Sequence, residues 1–326
     1  MIKTIQGVYD ANFEELLETS DGYFRTGRNA QAIFLSNDRK IEFVLIDNER
    51  CLAGVVGTYG NTTYYQLKDA FVDTTISAVL MDLDGTTADS ENFWVEVIRS
   101  VLVEILGDDT FTFDDSDIPF ISGHSVFEHL CYCIEKYCES GYNVNLAISI
   151  YREIVSEKMS AILLGEENGG EFNPSEGLKE TLLLLKKSGI KIGLVTSGNF
   201  NKAHPEIIAI FRDMALGNPA DFYDAIITAG TPSGNKHYGT LGELVAKPHP
   251  WLYAEASQIG LGIFPNKTHD IIGIEDSGAG VCALRLAGIP VIGLKNGNII
   301  RGGYEFLCEY MADNLLDASR FIRGYF

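Results

Sequence analysis

Short apolar runs rich in β-branched residues recur at 77–81, 190–195, 225–228, 271–274 and 291–293. Each reads as a strand buried on both faces, because nothing in it alternates with polar residues. Amphipathic helical patterns at 178–187, 202–211, 250–259 and 279–287 lie between or beside them. Strand–helix alternation of this kind requires right-handed crossovers, so the expected fold is α/β, a doubly wound Rossmann-like parallel sheet. In such sheets ligands bind beyond the C-terminal ends of the strands. Strand ends are therefore where chemistry is to be sought.

Two stretches break the alternation. Residues 91–167 carry helical patterns at 93–106, 126–139 and 146–164 and no convincing strand, and they fall between the first and second sheet strands. This predicts a helical cap inserted at 91–167, with the α/β core at 75–90 and 168–326. Residues 1–74 form a third region. After an acidic piece at 12–19, expected to be helical, come β-rich runs at 31–35, 41–46, 51–57 and 62–67 separated by polar turn clusters. They suit an antiparallel meander, a small β-rich N-terminal extension of unknown role.

Acidic residues outnumber basic ones 45 to 25 in the 326-residue chain, for a formal charge of −20. That sign repels nucleic acid and anionic lipid, so neither is an expected partner, and protein partners are not indicated. The longest apolar runs are too short to span a bilayer. No secretory leader is evident, and six irregularly spaced cysteines do not suggest a disulfide framework. A cytoplasmic protein with reduced thiols is expected.

The first core strand ends in Asp82-Leu83-Asp84-Gly85-Thr86. Residues two apart on extended backbone point the same way, so both carboxylates face one site. One can act as a nucleophile while the other moves protons. Gly85 permits the sharp turn that follows. At the next strand end, Thr196-Ser197-Gly198 offers a hydroxyl and an amide at a helix N-terminus, which either cap that helix or donate to an anion such as a phosphoryl oxygen. Ala246-Lys247-Pro248-His249-Pro250 puts an ammonium before a helix, with prolines fixing the backbone. If Lys247 points in, His249 points elsewhere and reads as structural. Glu275-Asp276, at the end of the 271–274 strand, offers adjacent carboxylates that suit a hard divalent cation.

Taken in order over 79–280, these motifs resemble the haloacid dehalogenase superfamily, in particular its β-phosphoglucomutase-like and phosphatase branch. The resemblance implies that Asp82 attacks phosphorus to form an aspartyl-phosphate, with the Thr196 hydroxyl and the Ser197 amide donating to a phosphoryl oxygen. Asp84 then protonates the leaving oxygen and deprotonates the incoming water. It implies Mg²⁺ as cofactor, with Asp82, the Asp84 carbonyl, Asp276 and Glu275 as ligands. Many members carry an acid where this chain has Gly280, so Glu275 is expected to replace it. The expected activity is hydrolysis of a small phosphomonoester, a sugar phosphate or similar metabolite. A phosphomutase is the alternative within the fold, and a non-catalytic binding or regulatory protein with a vestigial site the alternative outside it. Dehalogenation is disfavoured, since it needs neither Asp84 nor Mg²⁺. A phosphonatase would need a marked cap lysine, and Lys136 and Lys158 carry no such mark.

Further candidates divide between site and scaffold. His124 occupies a loop similar to the specificity loop of this branch, or it caps the next helix. The long connection 230–242 either lines the substrate entrance or is a surface loop, the latter being the favoured reading. Cys131, Cys133 and Cys138 lack metal-ligand spacing and read as buried thiols. Trp94, Trp251 and the tyrosines read as packing.

Overall fold

The computed structural model describes residues 13–15, 32–46, 50–56, 62–72, 75–114, 117, 126–138, 142–166, 172–229 and 245–325. The chain divides into two compact units: residues 1–87, 175–200 and 218–326, and residues 88–174 and 201–217.

The first unit holds two sheets. Strands β1 (Phe13–Glu15), β2 (Ala32–Ser36), β3 (Glu42–Leu45), β4 (Cys51–Val56) and β5 (Thr62–Gln66) form an antiparallel meander paired in sequence order. The acidic piece at 12–19 is thus not helical where it is described. Phe13–Glu15 pairs with Phe34–Ser36, and the strand's backbone hydrogen bonds override a weak helical preference.

The larger sheet contains β6 (Ala78–Asp82), β9 (Lys191–Thr196), β10 (Ala225–Thr228), β11 (Ile271–Glu275), β12 (Val291–Leu294) and β13 (Tyr310–Ala312). Its order is β10-β9-β6-β11-β12-β13, with every pairing parallel. All residues of β6 and β11 are buried, which is why both strands are apolar until their last residues. The chain leaves β6 toward β9 on one side and later returns to β11 on the other. The strand order therefore reverses at β6, where a doubly wound sheet opens a crevice.

Both sheets of this unit share one hydrophobic core. Phe34, Ile41, Phe43, Leu45 and Val55 of the meander lie in the same cluster as Cys282, Leu284, Tyr304 and Leu307. The alternating burial of β3 follows from this, since only one of its faces meets that core. A part-buried polar link adds to the packing: the Tyr304 hydroxyl donates to the exposed Asp38 at Oδ1, at 2.8 Å.

The second unit contains helices α1 (Glu91–Leu106), α2 (Val126–Tyr137) and α3 (Val144–Leu164), and a two-strand ladder of β7 (Ala88–Asp89) with β8 (Asn173–Pro174). Ile98, Val101, Leu102, Leu130, Cys133 and Ala147 make its core. Most of α5 (Phe200–Asp213) clusters here as well, and Arg212 donates to the Ile162 and Leu163 carbonyls at the end of α3, at 3.0 and 3.3 Å. The next helix among the described residues, α4 (Leu178–Lys187), belongs to the first unit. The cysteines of the second unit are free, with Cys133 buried and Cys131 and Cys138 half-buried. No helix among the described residues is long and apolar enough to cross a membrane. His124 and the 230–242 connection lie outside the described residues.

Candidate active site

The expected strand-end residues come together in the first unit. Asp82 ends β6, Thr196 ends β9, and Glu275 ends β11 with Asp276 following it. After Asp82 the chain turns sharply: the Thr87 amide bonds the Leu83 carbonyl at 2.9 Å, and the Thr87 hydroxyl donates to the Asp82 carbonyl at 2.5 Å. Gly85 sits at φ 82°, and a Cβ there would come within 2.3 Å of Asp276 Oδ2. Only glycine serves both the left-handed turn and that close approach. Asn296, which the sequence reading missed, holds the turn by donating to the Gly85 carbonyl at 2.9 Å.

Lys247 enters the same space from its loop. Its ammonium donates to Asp82 Oδ1, to Glu275 Oε1 at 2.7 Å and to the Val195 carbonyl at 3.0 Å. The side chain is only 5% exposed. Burial disfavours the charged amine, but the Asp82 and Glu275 carboxylates outweigh it and raise its pKa. Lys247 is therefore a fixed positive charge.

Glu275 is the most heavily bonded acid in the cluster. Oε1 accepts from Lys247 and from the Tyr253 hydroxyl at 2.6 Å, and Oε2 from the Ser277 amide at 3.2 Å and the Ser277 hydroxyl at 3.0 Å. A Cβ at Gly280 would lie 1.8 Å from Glu275 Oε1. The Glu275 carboxylate thus occupies the space an acid at 280 would need. Tyr253 was also missed by the sequence reading. It is fully buried on α6 (Trp251–Glu255), with the Lys247 ammonium 4.9 Å from its ring centroid. The only sequence signal for it was position, six residues after Lys247 on the helix that the Lys-Pro-His-Pro run begins. Trp251, by contrast, is 46% exposed, with its ring centroid 6.2 Å from that of His249.

The remaining expected residues are placed as follows. Thr196 is buried, and its Oγ1 accepts from the Gly198 amide at 2.9 Å. Ser197 is exposed, with its hydroxyl accepting from the Lys247 amide at 3.1 Å. Asp84 is half-buried in the turn after β6. His249 points away from the cluster, toward Tyr65 of β5.

Electrostatically the cluster is incomplete. Asp82, Glu275 and Asp276 can each offer a carboxylate oxygen within 4.8 Å of the others, and among the described residues the ammonium of Lys247 alone is ion-paired with them. Burial and the neighbouring Glu275 push Asp276 up to about 7, and they raise Asp82 well above the usual carboxylate range despite Lys247. An all-oxygen donor set carrying excess negative charge fits a hard divalent cation. Asp276 is braced for that role by Thr86, whose hydroxyl donates to Oδ1 at 3.3 Å, and by the Asn298 amide on its carbonyl at 3.0 Å.

Comparison with known proteins gives the family and the fold. Residues 76–288 match the family model for haloacid dehalogenase-like hydrolases. "Putative phosphatase YhcW" of Bacillus subtilis (strain 168) is 24% identical over 73% of this chain and 93% of the relative. Among solved structures, a predicted phosphoglycolate phosphatase from Haemophilus somnus 129PT superposes with a TM-score of 0.55 at 18% identity, covering 76% of this chain and 97% of that one. A CbbY variant from Rhodobacter sphaeroides in complex with xylulose-(1,5)bisphosphate gives 0.50 at 17% identity, covering 74% and 95%.

Proposed function

Since this chain belongs to the haloacid dehalogenase-like hydrolase family, we propose that it is a Mg²⁺-dependent phosphatase acting on small phosphorylated metabolites, sugar phosphates foremost. One observation carries the reading: Lys247 is buried between Asp82 and Glu275 at the strand ends, where it can offset charge on both a nucleophile and a phosphoryl group. The phosphate and sugar-bisphosphate complexes of the Rhodobacter sphaeroides CbbY protein, which has the same fold, support the substrate class.

Asp82, Asp276, the Asp84 carbonyl and Glu275 would hold the ion, which when bound supplies charge neutralisation and polarises the phosphoryl oxygens. Each Glu275 oxygen already accepts two hydrogen bonds, so Asp82 and Asp276 carry most of the charge still available to a cation. In the proposed cycle an Asp82 carboxylate oxygen attacks phosphorus while Asp84 gives a proton to the departing alkoxide. Asp84 then takes a proton from the water that cleaves the acyl-phosphate, releasing inorganic phosphate and restoring Asp82. Lys247 holds the transferring group's oxygens, and Thr196 with the Ser197 amide donates to them. The region 91–167 is read as the cap.

Schiff-base phosphonatase chemistry finds no support at Lys136. Its ammonium donates to Asp117, and that bond raises its pKa, which keeps it charged rather than nucleophilic. The Glu275–Gly280 pattern keeps the mutase reading as second choice.

The test is a panel of phosphometabolites with Mg²⁺, comparing wild type with Asp82→Asn. Phosphate release by the wild type and not by the variant is expected. Undiminished activity in the variant, or none in either protein, would overturn the assignment. Turnover in ¹⁸O-labelled water separates the two chemistries, since a hydrolase places the label in inorganic phosphate and a mutase passes phosphorus to a second substrate hydroxyl.

A further inference from the structure

The antiparallel meander supplies none of the strand-end residues, yet it reaches the loop that carries Lys247. In Lys247-Pro248-His249-Pro250 the two prolines have no N–H to give. The two amides left make one local bond, His249 to the Ala246 carbonyl at 3.2 Å, and one outward bond, Lys247 to Ser197 Oγ at 3.1 Å. A segment so poor in backbone donors depends on side chains to fix it.

His249 meets that need with its side chain. The residue is 4% exposed, and its Nδ1 lies 3.0 Å from the Tyr65 hydroxyl, 184 residues away in sequence. The two rings meet edge to face, with centroids 5.6 Å apart and planes at 90°. Tyr65 is itself fixed: it pairs with Ala53 of β4 and packs on the core that both sheets of this unit share. Its neighbour Tyr64 differs, being 48% exposed and bonded to Glu42 Oε1 at 2.5 Å. The alternation of β5 thus sends one tyrosine to the Lys247 loop and the other to solvent.

We propose that the Tyr65–His249 hydrogen bond sets the position of Lys247, so that the N-terminal meander acts as an intramolecular brace for the phosphate-binding lysine. Tyr65 and His249 are positioning residues, acting only through Lys247. The proposal rests on the phosphatase reading for its consequence but not for its geometry. Lys247 must meet Asp82, Glu275 and the Val195 carbonyl together, and misplacement by about 1 Å can cost on the order of a hundredfold in rate.

The experiment uses the full chain with p-nitrophenyl phosphate and Mg²⁺, and compares Tyr65→Phe, His249→Leu, His249→Asn, the double variant Tyr65→Phe/His249→Leu, and Tyr64→Phe as control. Tyr65→Phe is expected to lower kcat about tenfold, with the melting temperature nearly unchanged because the ring still packs. The double variant should be no worse than His249→Leu alone, since both break one coupling. His249→Asn, whose amide can take the place of Nδ1, should recover part of the loss, and Tyr64→Phe should match wild type. A Tyr65→Phe enzyme with wild-type kcat, or a loss that only tracks unfolding, would overturn the brace. A second readout is independent of turnover: the rate at which acetic anhydride acetylates Lys247, followed by mass spectrometry. Faster labelling in Tyr65→Phe than in wild type supports the brace, and equal labelling refutes it. If wild type does not turn over any phosphomonoester, the functional reading falls, and the labelling rates still decide the brace.

Discussion

The two units each bury a carboxylate, and they treat it in opposite ways. In the second unit Asp117 is fully buried and accepts from Tyr132 Oη at 2.5 Å, from Lys136, from Tyr137 and from the Asp114 amide at 3.1 Å. Burial opposes its charge, but these donors prevail and hold it well below the usual carboxylate range. In the first unit Asp82, Glu275 and Asp276 share one ammonium, and Asp82 and Asp276 are shifted upward. Asp117 is provided with donors for its charge, whereas the strand-end cluster has more charge than its own protein groups can balance. Saturation marks a structural acid, and deficit marks one that awaits a ligand.

The comparison can be tested in order of expected effect. Asp82→Asn should reduce kcat by about a thousandfold or more in a steady-state assay while the protein stays folded, because it removes the nucleophile. Addition of Mg²⁺ should raise the melting temperature of the metal-free protein, by about 2.7 kcal/mol of stability at a hundred times its Kd, and Asp276→Asn should abolish most of that gain in calorimetry. Asp117→Asn should cost about 2 kcal/mol by urea unfolding, since the donors around it lose their charged acceptor, and should leave the Mg²⁺-induced shift intact. Lastly, Asp276→Asn in metal-free protein should be neutral or stabilising by less than about 1 kcal/mol, the reverse of Asp117→Asn. A large destabilisation there would break the contrast.

Opposite pKa shifts also predict opposite pH responses. Asp117, depressed when folded, contributes stability above the unfolded carboxylate range, and that contribution is lost as pH falls through its lower folded value. Asp276, raised to about 7 when folded, is bound to its proton in the folded state over a range where the unfolded chain has lost it. Metal-free protein should therefore lose stability between about pH 4 and 7 from this group, as urea midpoints at stepped pH would show.

Much of this was legible in the sequence. The apolar runs that became β6, β9, β10, β11 and β12 were found because a strand buried on both faces cannot hide its composition. β13 was not, because Tyr310–Ala312 is short, lies at the sheet edge and is only partly buried. Within the cluster, Asp82, Lys247, Glu275 and Asp276 announced themselves by charge at strand and helix ends. Tyr253 did not, because a tyrosine on a helix face looks like packing until its hydroxyl partner is known. The Tyr65–His249 contact was also out of reach, since only the folded sheet brings together residues 184 positions apart.

The wide separation of the strand-end residues has a consequence for biosynthesis. Thr86 meets Asp276 across 190 positions and Lys247 meets Asp82 across 165, so the pairings that join the first acids to the rest of the cluster are far from local. A ribosome delivers β6 long before β11, and the nascent chain carries its first acids without the lysine that later balances them. Closing such distant contacts is slow compared with forming the helices of α1 to α3. Cation uptake should thus follow the pairing of β6 with β11, and a bound ion would report that these two strands had met.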